Sequence, residues 1–191
     1  MPALPRARPS RLASSVRDLL FHGRNLRAEA DRVKSILNSG EMELWGSMAP
    51  VDRYHGLRVA LALTRRLAGS RHADDPRWIA AALLHDVGKT AAALTPIHRA
   101  FAAIVGRIVT ISTAREWASH GADGIGRIGR YLLHGQLGAQ AIRAAGGRDE
   151  AASWAEIHQI EFHRHIGAVA LLDSSRIPRE VAVALSAADA E

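Results

Sequence analysis

Apolar residues recur three and four positions apart along most of this chain, and no segment alternates apolar and polar residues between turn signals. The pattern predicts an all-α protein. Ile79, Ala80, Leu83, Leu84 and Val87 share one face of a helix opened by Asp75-Pro76, an N-cap followed by a first-turn proline, and this helix stops near Gly88. Leu57, Ala60, Leu61, Thr64 and Leu67 define one face of a helix from Asp52 to Ala68, ended by Gly69. Thr95-Pro96 opens a helix expected to reach about Ile111, and a short one covers Ala114 to Ser119. Helices are also expected over Leu137 to Ala145 and from Glu150 to about His165, the latter placing His158 in mid-helix. Ile177-Pro178 opens a last helix with Val181, Leu185 and Ala188 on one face.

The beginning of the chain has a different character. Three prolines in Met1 to Pro9 oppose regular structure. Ser10 can cap a helix to about Phe21 and Asn25 another to Leu37, with Gly40 as a stop signal. A short segment, Glu41 to Met48, then leads to Pro50. This divides the chain into a basic arm with helices packing on the core, residues 1–40, and a main domain, residues 41–191. The four glycines between Gly121 and Gly129 follow no strand and precede no Gly-Lys-Ser, which argues against a phosphate loop. They fit a loop, or a helix packed closely on a neighbour.

Charge sharpens the division. Residues 1–34 carry eight Arg or Lys against three acids, so nearly all of the formal charge of +6 lies there. Such an arm can bind nucleic acid or an anionic surface, or be a solvated terminus, and it has no interleaved aromatics for base stacking. The longest apolar run, Ala100 to Ile111, is broken by Arg107 and is too short to span a membrane. Met1 to Ser15 has arginines but no apolar core behind them, so no secretory signal is expected and a cytoplasmic location fits. With no cysteine in the chain, disulfides and thiolate metal sites are excluded.

Ten histidines is many for 191 residues. His22, His72, His98 and His120 sit beside loops or polar residues, and His163 and His165 point to different sides of a helix. His55, His85, His134 and His158 instead lie on apolar helices or at their ends, as do Asp86 and Asp189. Each alone fits a helix cap or a hydrogen-bonded core residue. Together, four imidazoles and two carboxylates at buried positions are costly without a common partner, and this donor set suits Fe, Mn, Zn, Ni or Co.

The order His … His-Asp … His … His … Asp resembles the HD-domain superfamily of metal-dependent phosphohydrolases over residues 41–191. The specific part is Ala81-Ala82-Leu83-Leu84-His85-Asp86-Val87-Gly88-Lys89, close to the superfamily's apolar-His-Asp-x-Gly-Lys signature. His55 stands in a His-x-x-x-Val-Ala setting and Asp189 in an Ala-Ala-Asp ending, and the whole is similar to small stand-alone bacterial members. The resemblance implies an HD-domain helical bundle whose helices converge on one or two divalent metal ions. By position, His55, His85, Asp86 and Asp189 match the ligands of a first metal. Asp86 can bridge to a second held by His134 and His158. Many relatives carry another histidine where this chain has Gln159, and often His-Pro where it has His134-Gly135. The implied activity is hydrolysis of a nucleotide or other small phosphate ester by metal-activated water, with Asp86 orienting the water and Lys89 neutralising phosphate charge. Arg99, Arg127 and Arg130, near these motifs, are candidates for holding non-reacting phosphates, against the more ordinary reading of each as a solvated arginine. The alternative is a signalling or binding module with the same fold and no turnover.

Overall fold

The computed structural model describes residues 32–121, 123–159 and 177–191. The chain divides into a unit Met1–Ser35 and a unit Ile36–Glu191. The expected helices near Ser10 and Asn25 lie almost wholly outside the described residues, as does the basic arm through residue 31. The regular elements among the described residues of the second unit are helical: α1 Ser39–Ser47, α2 Pro50–Arg66, α3 Pro76–Leu84, a 3-10 turn Val87–Ala91, α4 Pro96–Val105, α5 Ile111–Ser119, α6 Gly124–Leu132, α7 His134–Ala144, α8 Asp149–Ile157 and α9 Arg179–Asp189. No strand occurs among them. The all-α expectation holds.

The organising element is α3. Asp75 caps it by accepting from the Arg77 amide at 3.0 Å, and Pro76 supplies the preset first turn. Ala80 to Leu84 are each no more than 1% exposed, because α2 and α8 both pack on this helix. Full burial of Leu83 and Leu84 contributes about 1.5–3 kcal/mol each. In turn, α9 packs on α2, α7 on α8, and the 3-10 turn on α7. Two close backbone approaches set these distances. A Cβ at Gly56 of α2 would lie 2.6 Å from the Leu83 carbonyl oxygen, and one at Gly88 would lie 1.9 Å from that of His134. The first brings His55 beside His85, and the second brings Asp86 beside His134.

Several boundaries differ from expectation. Asn38-Ser39-Gly40 does break the chain, but Asn38 is the N-cap of α1, forming a capping box with Glu41 across what reads as a loop. The helix from Pro96 ends at Val105 rather than Ile111, because Thr110 caps α5 through the Thr113 amide. The glycine-rich stretch is the start of α6, capped by Asp123, with Gly129 against the backbone of Ala118. The helix α8 ends at Ile157, so His158 is its C-cap and not a mid-helix residue. Its expected continuation toward His165 lies outside the described residues.

Glu41 also carries a tertiary role that sequence spacing did not reveal. Its carboxylate is fully buried, accepts from the Asn38 amide at 3.0 Å and the Arg148 amide at 2.9 Å, and pairs with the Arg148 guanidinium. The charge-assisted contacts tie α1 to the start of α8.

Candidate metal centre

Three histidines stand at helix ends and use the same local device. At a helix C-terminus the last carbonyls lack amide partners, and each imidazole takes the one three residues back. His85 Nδ1 lies 2.8 Å from Ala82 O, His134 Nδ1 2.6 Å from Tyr131 O, and His158 Nδ1 2.7 Å from Ala155 O. A carbonyl oxygen only accepts, so Nδ1 carries the hydrogen, and Nε2 of the neutral ring is left with its lone pair. Fixing the tautomer through Nδ1 is what prepares an imidazole as a metal ligand.

All three Nε2 atoms face Asp86, which is 3% exposed. His85 Nε2 is 3.5 Å from Oδ2, while His134 and His158 Nε2 are 3.4 and 3.6 Å from Oδ1. From the α2 side, His55 Nε2 reaches 3.9 Å from Asp86 Oδ2 and 2.8 Å from Asp189 Oδ1, at the end of α9. Asp189 Oδ1 is also 3.4 Å from His85 Nε2. The six sequence-selected residues therefore meet in one place. Five of them form two groups able to hold a metal ion, His55, His85 and Asp86, and Asp86, His134 and His158, with the ligand atoms of each within 4.8 Å of one another, and Asp189 stands beside the first through His55 and His85. Lys89 completes the centre, its ammonium 2.5 Å from Asp86 Oδ2.

The electrostatics follow from this crowding. Burial raises the Asp86 carboxyl, but Lys89 and the histidines outweigh it and hold the group well below the usual carboxylate range. Asp189 is likewise held low, burial being offset by the hydrogen bond from His55 and by the nearby charge of His85. Burial alone would lower His85, yet the two carboxylates raise it to about 9. His134, where burial is the largest influence, falls to about 4 and stays neutral.

The donor set fits a divalent transition ion. His85 Nε2 is buried and has no hydrogen-bond partner, an orphan that a native interior rarely tolerates without cause. Imidazole nitrogens and carboxylate oxygens are the ligands preferred by Fe, Mn, Zn, Ni and Co, and a d-block ion takes up such a nitrogen lone pair.

Other sequence candidates are engaged elsewhere. His72 packs edge-on against Trp78, His98 Nδ1 meets Thr95 Oγ1 at 2.6 Å, and His120 Nδ1 faces Glu116 O. His22, His163 and His165 lie outside the described residues. Arg99 is bound to both oxygens of buried Asp52 at 2.6 and 2.8 Å; Arg127 donates to Ala92 O, and Arg130 to Ala91 O and Gly121 O. These contacts give all three arginines structural work. Gln159 is a bracket beside the centre: its Oε1 accepts from Gly135 N at 3.0 Å and its Nε2 donates to Leu132 O at 2.7 Å. No local sequence signal marked Asp52 as the partner of Arg99, or Gln159 as a backbone clamp.

Comparison with family models, curated proteins and solved structures finds no match for this chain.

Proposed function

We propose that the chain is a metal-dependent phosphohydrolase of the HD-domain type, acting on a nucleotide or other small phosphate ester. One observation carries the reading: three imidazoles are committed through Nδ1 to their own helix carbonyls, and their Nε2 atoms converge on one buried aspartate, with that of His85 unpartnered. His55, His85, Asp86 and Asp189 would hold one ion, and Asp86, His134 and His158 the other if two are present. An ion bound there supplies water acidified toward neutral pH, and a Lewis acid for a phosphoryl oxygen.

The chain's own residues do the rest. Asp86 stays a carboxylate well below neutrality, so it orients an incoming water by accepting its hydrogen bond rather than by taking its proton. His134 stays neutral and adds no positive charge of its own. Lys89, kept charged by Asp86 despite burial, provides a fixed cation against charge developing on the phosphoryl group. Hydrolysis forms a bond from water oxygen to phosphorus and breaks the ester P–O bond, releasing an alcohol and inorganic phosphate.

The test is elemental analysis of the purified chain together with a panel of phosphate esters. Stoichiometric transition metal and hydrolysis abolished in Asp86→Ala support the enzyme. A metal-free, inert protein sinks it and favours the non-catalytic module.

A further inference from the structure

The centre has an exposed edge. The side chains of His55 and Asp189 are 36% and 30% exposed, against 1% and 3% for His85 and Asp86. Beside that edge lies a cavity of about 220 Å³, with His55, Arg58, Arg65 and Glu191 among its walls and Val59 and Ala188 behind them. This is smaller than the roughly 300–1,000 Å³ of pockets that enclose a whole organic ligand. It is a space for one group of a ligand whose other end lies elsewhere.

The basic walls come from one helix. Arg58 and Arg65 follow His55 by three and ten residues on α2, and seven residues return to nearly the same face, about 10 Å further along the axis. Both guanidiniums approach Glu191. Arg58 NH2 donates to the main-chain oxygen of Glu191 at 3.3 Å, Arg65 NH2 lies 3.9 Å from Oε2, and the neighbouring Arg66 NH2 is 2.5 Å from Oε1. Arg65 is 75% exposed and Glu191 46%, so their pairing is solvent-screened and contributes little. A planar guanidinium fork suits phosphate as well as carboxylate, and a doubly charged phosphate outbids a single carboxylate for it.

We propose that this cavity is an anion subsite for a second phosphate of the substrate, selecting esters that carry one phosphoryl group at the metal centre and another beyond His55. The Glu191 carboxylate is its resident competitor and leaves when that phosphate enters. The proposal rests on the phosphohydrolase reading for its substrate, but not for the existence of the anion site. Arg58 and Arg65 are binding residues here and take no part in bond cleavage.

Two measurements on the full chain separate the possibilities. Calorimetry with inorganic phosphate and metal-free protein should show binding that weakens at least tenfold in Arg58→Met/Arg65→Met and tightens about threefold in Glu191→Gln. With metal-loaded protein, the ratio of kcat/KM for a diphosphorylated over a monophosphorylated ester should fall at least tenfold in the same double variant. Arg58→Lys/Arg65→Lys, which keeps charge but loses the fork, should recover only part of each effect. Circular dichroism and melting confirm that the variants fold. If phosphate binding and the ester ratio are both indifferent to the arginines, the subsite is refuted even though esters are hydrolysed. If phosphate binding follows the arginines but no ester is turned over, the anion site stands and the phosphohydrolase reading falls.

Discussion

Gln159 offers the sharpest test of how the centre is built. Its amide joins two main-chain groups at the junction of α6 and α7, accepting from Gly135 N and donating to Leu132 O. His134 stands between those two residues, and His158 immediately precedes Gln159. The side chain thus fixes the spacing of two imidazoles that face the same oxygen of Asp86. Gln159→Ala removes two hydrogen bonds, each with a net value of about 1 kcal/mol, and leaves an amide and a carbonyl at a partly buried site. The expected loss is about 2 kcal/mol, rising toward about 4 if water does not reach both groups. For a chain of this size that lowers the melting temperature by roughly 4–8 °C at the lower figure. Gln159→Glu should be at least as damaging, because the carboxylate can still accept from Gly135 N but cannot donate to Leu132 O. The assay is thermal and denaturant unfolding of metal-free protein, followed by metal titration. A Gln159→Ala protein within 0.5 kcal/mol of the parent, with metal affinity unchanged, would refute the argument that this amide positions His134 and His158.

Other expectations follow from the same contacts. Glu41→Ala takes the fully buried carboxylate away from the Asn38 and Arg148 amides and from the partly buried Arg148 guanidinium, and should cost about 3 kcal/mol by denaturant unfolding, while Glu41→Leu/Arg148→Met should regain part of it. Gly88→Ala drives a methyl group into the main chain of His134 and Gly138, which cannot swing aside, so a loss of about 3 kcal/mol or more and weakened metal binding are expected. Asp86 and Asp189 have folded pKa values below their unfolded ones. Their contribution is therefore complete above the usual carboxylate range of about 4 and is lost as pH falls through the folded values, so metal-free Asp189→Asn should show a flatter acid limb in melting temperature against pH.

Much of the centre was legible because the chemistry is carried by residue types that are expensive to bury. His85 and Asp86 close a helix of alanine and leucine, and nothing in that segment can satisfy them except groups from far along the chain. The helical period located α2, α3 and α9, but it placed the inward face only for α9: α3 is buried over all of Ala80 to Leu84, and α2 turns Val59 and Leu63 inward while Leu61 of the expected face is half exposed. The losses came where local and tertiary demands diverge. Thr110 caps a new helix inside an apolar run that reads as continuous. Arg99, near the motif in sequence, is drawn to Asp52, 47 residues earlier. Gln159 reads as an absent ligand because position alone was compared; its two amide bonds to the main chain are visible only in three dimensions.

Asp86 also bears on how many ions the centre suits. Its Oδ2 serves Lys89, His85 and His55, and its Oδ1 serves His134 and His158, so both metal-capable groups draw on one carboxylate. A bound ion displaces the proton that His85 otherwise carries, and with every imidazole then neutral, Asp86, Asp189 and Lys89 together carry a net charge of −1. One divalent ion brings this to +1, and a phosphate dianion returns it to −1. A second divalent ion takes the empty centre to +3, with an ammonium already seated on the shared carboxylate. At an effective dielectric of about 20, unit charges 4 Å apart repel by about 4 kcal/mol, and a dication doubles that. The Lys89 charge, which any ion at Asp86 meets, therefore adds to the repulsion that a second ion feels until an anion arrives. The charge balance and the structural use of Gln159 lead to one expected outcome: metal titration of the phosphate-free chain should saturate at one ion, and a second should bind only when phosphate is added.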